Sequence, residues 1–285
     1  MSAPVTDASP PVRRLALLGA GVMGETVLSG LIRAGWEPGS VVATDRRPER
    51  AAELEAAYGI TMTSNVEAVR GAETVLLVVK PQDMSGLLAD IAPALAPSTL
   101  VVSMAAGVDT ETLEGGLPSG QPVVRVMPNT PAQVDEGMAA ISAGSSATTD
   151  HLDRVRDILS ATGRVAVVPE RYLDAVTAIS GSGPAYLFFV VEAMIEAGVH
   201  LGLPRDVSTE LVVQTMLGSA KLLRESGEHP AILRERVTSP GGTTAAALRE
   251  LEDHKVRAAF LTAMEAARDR SQALAASARQ QRTGA

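Results

Sequence analysis

Apolar residues come in two rhythms along this chain. Up to about residue 170, short apolar runs alternate with stretches of helical period. The runs "RLALLG" (14–19), "SVVATD" (40–45), "TVLLVVKP" (74–81), "TLVVSMAAG" (99–107), "PVVRVMP" (122–128), "MAAISAG" (138–144) and "RVAVVPE" (164–170) read as strands. Several are unbroken and β-branched, the pattern of strands covered on both faces. Helical patterns lie between them, including 22–34, 48–57, 83–92 and 149–161. Strand–helix alternation of this kind predicts a doubly wound, mostly parallel α/β sheet over residues 13–170.

Beyond about residue 170 the strand pattern stops. Helical patterns follow at 183–200, 205–226, 230–237, 243–252 and 254–274, punctuated by Gly-Leu-Pro at 202–204 and Gly-Glu-His-Pro at 227–230. They predict an all-helical second domain over 171–275. Its helices carry Ala, Val, Leu and Met on more than one face. A single bundle of that size has limited capacity to bury so much, so packing against a second copy is expected; a large self-contained core is the alternative. Residues 1–12 and 276–285 are expected to be flexible tails.

Composition narrows the function classes. The chain has 285 residues, 46% of them hydrophobic, with three Phe, three Tyr and one Trp, so its core is aliphatic. The net charge is −8 and basic residues do not cluster, which argues against a nucleic-acid or anionic-membrane partner. There is no cysteine, which removes disulfides, thiolate catalysis and Cys-based metal sites. His151, His200, His229 and His254 are scattered without ligand spacing, so no metal is expected. The start, "MSAPVTDASPPVRR", has no apolar segment of signal-peptide type, and a cytoplasmic location is expected. The most apolar stretch, "AYLFFVVEAMIEAGVHLGL", carries Glu192 and Glu196 and reads as a buried helix of a soluble protein.

Candidate chemistry begins at "LALLGAGVMGETVLSGLIRAG", where Gly19, Gly21 and Gly24 form G-x-G-x-x-G between a strand and a helix. In a Rossmann dinucleotide site the first glycine permits the tight turn and the second lets a pyrophosphate approach. The third lets helix and strand pack closely. The helix start, with Ala20, Val22 and Met23 around it, would face the phosphates. The second strand ends in "VVATDRRPER". Asp45 there would accept from a ribose 2′-hydroxyl, whereas Arg46 and Arg47 would attract a 2′-phosphate or simply be solvated. Thr44 and Asn65 can add neutral hydrogen bonds to either cofactor.

Four stretches together give the chain a wider resemblance: "GAGVMG" (19–24), "VVKPQ" (78–82) with "SMAAGV" (103–108), "RVMPNTP" (125–131), and "ISGSGPAY" (179–186) followed by "VTSPGGTTAAALRELE" (237–252). From about 14 to 275 the chain resembles pyrroline-5-carboxylate reductase, and the last stretch is the most specific. The resemblance implies an N-terminal Rossmann domain and an all-α dimerisation domain. It implies reduction of the ring imine of 1-pyrroline-5-carboxylate to L-proline, the last step of proline biosynthesis, with NADPH or NADH. It also implies a homodimer at least, in many relatives a decamer.

On that resemblance, Ser239, Gly241, Gly242, Thr243 and Thr244 become candidates for gripping the substrate. A turn opening a helix offers backbone amides and the positive end of a helix dipole to a carboxylate. Thr244 can orient or relay a proton at the ring nitrogen. Val79, Lys80 and Pro81 would line the nicotinamide ribose; Lys80 can act as an acid, as an electrostatic group, or merely be solvated. Ala105, Ala106 and Gly107 would offer small residues and bare amides. Asn129 is either a site wall or a turn brace. Two other readings compete. A β-hydroxyacid dehydrogenase would place a lysine one helical turn after a glycine motif, but no lysine stands between Ser180 and Met194. A non-catalytic NADP-binding sensor would keep Gly19–Gly24 without needing the Pro-Gly-Gly-Thr-Thr turn.

Overall fold

The structure, a computed structural model, describes residues 14–283, with side chains through Ala276. Strands β1 (Leu15–Leu18), β2 (Val41–Thr44), β3 (Thr61–Met62), β4 (Thr74–Leu77), β5 (Leu100–Ser103), β6 (Val123–Met127), β7 (Gly137–Ala143) and β8 (Gly163–Val167) form one sheet. Its order is β3-β2-β1-β4-β5-β6-β7-β8, and only β6 and β7 run antiparallel. The first six strands therefore have the order of a dinucleotide-binding Rossmann sheet. The two-residue edge strand β3 escapes the sequence pattern because it is too short to show a period.

Strands β1, β2, β4 and β5 are buried at every position. Their side chains alternate between two apolar layers: Leu15 and Leu17 face one, Ala16 and Leu18 the other. Helices α1 (Val22–Arg33), α2 (Pro48–Tyr58) and, further along, α6 (Thr149–Leu159) close the first layer with Leu28, Leu31, Leu54, Val155 and Ile158. Helices α3 (Asn65–Val69), α4 (Met84–Ile91) and α5 (Thr110–Glu114) close the second with Val69, Leu87, Leu88, Ile91 and Leu113. Each fully buried leucine contributes about 1.5–3 kcal/mol. The buried Arg125 of β6 is an exception to this apolar filling; it pairs at 3.2 Å with Glu170, which also accepts from the Thr110 amide.

After β8 come helix α7 (Leu173–Val176) and a π-helical turn at Thr177–Gly181. Helices α8 (Gly183–His200), α9 (Arg205–Ser226), α10 (Pro230–Arg236), α11 (Thr243–Asp253) and α12 (Val256–Thr283) follow. The chain divides into two compact units, one of residues 14–181 with the chain from Arg268 onward, the other Ser182–Ala267. The compact units divide at Gly181, and the end of α12 joins the sheet unit as well. Ser271 donates to Asp174 at 2.7 Å, and Ala275 is buried. The expected tail at 276–285 is corrected in part: the α12 backbone continues to Thr283, with no glycine or proline before Gly284 to end it. The other expected tail, 1–12, lies outside the described residues.

The helical unit has almost no core of its own. Among its residues only Ser208 and Val212 are buried. The sequence reading of "AYLFFVVEAMIEAGVHLGL" as a buried helix is thus corrected for the isolated chain, since Phe188 is 67% and Phe189 72% exposed. The alternative of a self-contained core falls with it. Residues Glu170–His200 form a stretch long and apolar enough to cross a membrane by length and composition alone. Within the unit, α8 and α9 meet at Gly198, where Ser208 lies over the glycine and donates to the Ile195 carbonyl at 2.9 Å. A side chain at Gly198 would displace Ser208. Gly198→Val is therefore expected to cost about 1–3 kcal/mol, read as a lower denaturation midpoint; an unchanged midpoint would remove this crossing from the account.

Candidate active site

The site starts from strand register. Leu18 lies opposite Thr44 of β2 and Leu77 of β4, and Leu77 lies opposite Ser103 of β5. Four strands thus end at one level, and the segments after them leave the sheet side by side. The ladder carries on just beyond: Gly19 and Ala20 donate to the Thr44 carbonyl at 3.1 Å, Val78 to Leu18 at 2.8 Å and Met104 to Leu77 at 3.0 Å. Ligands of open α/β sheets bind at such carboxyl edges. Every cofactor-binding candidate from the sequence lies on this edge or on α3 beside it.

The three glycines of the turn differ in what surrounds them. Gly19 has φ +99°, and a Cβ there would sit 2.6 Å from the Val78 carbonyl oxygen. Gly24 is buried, and a Cβ there would run into the Gly19 carbonyl. Gly21 differs from both, since a Cβ would meet nothing within 4 Å and its φ is −69°. The fold itself does not need glycine at 21, and the space above its backbone is open. Gly21 is also the N-cap of α1 without a side-chain cap, so the first amides of α1, at Val22 and Met23, lack intrahelical partners. A pyrophosphate fits this combination of open cradle and helix dipole.

At the end of β2 the polar groups are already paired. Thr44 donates to Asn65 at 2.8 Å, and Asn65 donates onward to Asp90 at 3.2 Å. Arg47 closes on Asp45 with its side chain at 3.1 Å and its amide at 2.9 Å. Burial alone would raise the Asp45 carboxyl, but the Arg47 bonds outweigh it and hold it below the usual carboxylate range. The two arginines expected to attract a 2′-phosphate or be solvated have different partners. Arg47 neutralises Asp45, while Arg46 reaches Asp83 at 3.1 Å. Arg50 was missed in the sequence. It donates to the Ala20 carbonyl at 3.4 Å and pairs with Glu25, which also accepts from Tyr58 at 3.1 Å. Partners 25 and 30 residues away leave no local spacing to find it by.

On the other side of β1, Val79 is half-buried, and Lys80 and Pro81 are exposed just past β4. Lys80 is extended (φ −67°, ψ 149°), as a residue before proline prefers. In the segment after β5, Ala105 is buried and its amide is committed to the Ser103 hydroxyl at 3.3 Å. The expectation of bare amides is therefore corrected at Ala105, leaving Ala106, which is exposed; Gly107 (φ +74°) is buried, with Leu274 and Ala275 of α12 over its α-carbon. Asn129 is a brace. Its amide nitrogen donates to the Ser180 carbonyl and hydroxyl, both at 3.3 Å, and its oxygen accepts from Met138 at 2.8 Å.

The Ser239–Thr244 segment belongs to the helical unit. Pro240 and Gly241 (φ +69°) are the corners of a turn closed by Gly242 donating to the Ser239 carbonyl at 3.0 Å. This is the Pro-Gly signature of a type II turn. The Gly242 amide is therefore used inside the turn, and the sequence expectation of a bare amide there is corrected. Gly242 then serves as the N-cap of the eleven-residue helix α11, with no side-chain cap. The amides without intrahelical acceptors are those of Thr243, Thr244 and Ala245. Thr244 is half-buried and Thr243 and Ser239 exposed. Among the described residues no group of three His, Cys, Asp or Glu is placed to hold a metal.

Sheet order and glycine turn define a dinucleotide-binding oxidoreductase unit of Rossmann type. Residues 14–107 match the family described as NADP oxidoreductase, coenzyme F420-dependent, and residues 170–274 match pyrroline-5-carboxylate reductase dimerisation. The chain is 46% identical over 264 residues to a pyrroline-5-carboxylate reductase of Corynebacterium melassecola, covering 91% of this chain and 98% of that one. A solved pyrroline-5-carboxylate reductase from Coxiella burnetii is 33% identical with a TM-score of 0.88, covering 92% of this chain and 98% of its own. One from Plasmodium falciparum, solved with NADP bound, is 31% identical with a TM-score of 0.83 over 92% and 98%. This chain belongs to the pyrroline-5-carboxylate reductase family.

The glycine turn gives a paired test. Gly24→Ala should lose about 1–3 kcal/mol of stability. Gly21→Leu should keep its denaturation midpoint and lose dinucleotide binding in a fluorescence titration. If the folded Gly21→Leu protein titrated normally, the turn would not be the phosphate site.

Proposed function

We propose that the chain reduces the ring imine of 1-pyrroline-5-carboxylate to L-proline, the last step of proline biosynthesis. The observation that carries this reading is the near full-length identity of 46% to a reductase of that name. NADPH is the proposed cofactor, supported by the NADP-bound relative and by the arginines beyond β2. NADH fits the same cradle less well, because it lacks the 2′-phosphate that Arg46 would meet.

The proposed roles follow from the geometry of each unit. Gly19, Ala20, Gly21, Val22, Met23 and Gly24 form the phosphate turn. Thr44, Asn65, Arg46 and Arg47 shape the adenosine end. Val79, Lys80, Pro81, Ala106 and Gly107 line the nicotinamide end, with Ala105 supporting them from below. When bound, NADPH supplies the hydride that goes to the imine carbon. The electron pair of the C=N bond passes to nitrogen, which carries the proton in the amine product. In the helical unit, Ser239 and the amides of Thr243 and Thr244 hold the substrate carboxylate, and Gly241 and Gly242 let the ring lie on the backbone. The Thr244 hydroxyl directs a proton at the ring nitrogen.

The working unit we propose is a homodimer, with decamers as a further assembly, acting in the cytoplasm without nucleic-acid or membrane partners. Support comes from the dimerisation match and from large apolar residues such as Leu217 (60%) and Leu261 (64%) exposed on a unit without a core.

The direct test follows NADPH oxidation with 1-pyrroline-5-carboxylate as substrate; no turnover with purified protein would end this reading. Thr244→Ala should lower kcat by roughly 10²-fold with NADPH affinity unchanged. An unaltered kcat would take Thr244 out of the chemistry.

A further inference from the structure

Asp83 ends a 3₁₀ turn, Pro81–Asp83, that runs straight into α4, and with helical backbone (φ −89°, ψ −10°) its side chain caps no backbone amide. Here both carboxylate oxygens go elsewhere: Arg46 meets them with its two terminal nitrogens, at 3.3 and 3.1 Å. The pair joins two distant segments, 37 residues apart in sequence. Arg46 follows β2 and Asp83 follows β4, and β1 lies between those strands. The ion pair therefore crosses the carboxyl end of β1, the strand whose end opens into Gly19–Gly24.

The neighbouring arginines have other commitments. Arg47 is closed on Asp45, and Arg50 is held by Glu25, Glu53 and the Ala20 carbonyl. Arg46 is the most exposed of the three, its side chain 83% accessible, and its bonds to Asp83 are longer than those of a tight bidentate pair. It can exchange partners without breaking anything in the core.

The geometry points to Asp83 as a specificity-determining residue that competes with the cofactor's 2′-phosphate for Arg46. The inference rests on the proposal that Arg46 reads that phosphate. A 2′-phosphate offers the guanidinium a stronger charge-assisted partner than a carboxylate does, and binding it releases Asp83. The carboxylate thus sets how much the phosphate gains over a free 2′-hydroxyl. A cofactor lacking the phosphate leaves Arg46 on Asp83 and feels the pair little.

The experiment measures dissociation constants of NADPH and NADH for four proteins: the unaltered chain, Asp83→Asn, Arg46→Ala and the double variant. Asp83→Asn keeps the shape and removes the charge, so folding is not at issue, and circular dichroism checks it. NADPH should bind about two- to fivefold tighter to Asp83→Asn, the scale of an exposed ion pair. NADH should change by less than about twofold. Arg46→Ala should weaken NADPH selectively, and in that background Asp83→Asn should have no further effect. Equal weakening of both cofactors by Arg46→Ala overturns the 2′-phosphate reading and this inference with it. Selective weakening by Arg46→Ala with no gain in Asp83→Asn overturns the inference alone, as does a gain that persists without Arg46.

Discussion

The register that places Leu18 opposite both Thr44 and Leu77 is the constraint on which the candidate cofactor site depends. It levels the ends of β2, β1 and β4, and Leu77 carries the level to Ser103 of β5. The strands are only four residues long and buried throughout, so the register has little freedom. A slip of one residue would exchange Leu15 and Leu17 with Ala16 and Leu18 between layers of different depth. Packing inside the sheet therefore decides that the segments after β1, β2, β4 and β5 open side by side.

On that edge, charge is arranged in closed pairs. Asp45 with Arg47, Asp83 with Arg46, and Glu25 with Arg50 each neutralise a group beside the dinucleotide path. Of the three, the exposed Arg46–Asp83 pair contributes little to stability, about 0–1 kcal/mol, while Arg50–Glu25 is part-buried. Their consequence is electrostatic: an anionic ligand meets an edge whose carboxylates are masked and whose arginines are already oriented.

The helical unit follows a different logic. With Ser208 and Val212 its only buried residues, it has no apolar interior to hold its helices in place. Its apolar surface is the complement of a domain core, and a second copy is the simplest chemistry that covers it. The type II turn at Pro240–Gly241 is stabilised locally, by its proline, its left-handed glycine and one backbone bond, so its form does not depend on such burial.

The sequence by itself determined most of the element order: the apolar runs became strands, those of β1, β2, β4 and β5 buried and parallel, and the five late helices lie where their period places them. It also determined the glycine roles, because Gly19, Gly24 and Gly241 answer to local backbone geometry. Tertiary structure alone decided which polar groups meet. That Asn129 braces Ser180, 51 residues away, and that Arg46 finds Asp83, 37 residues away, rather than its neighbour Asp45 are choices the local pattern does not make. The physical reason is range. Periodicity and turn chemistry act over a few neighbouring residues, whereas side-chain pairing depends on which strand ends the sheet order sets next to one another.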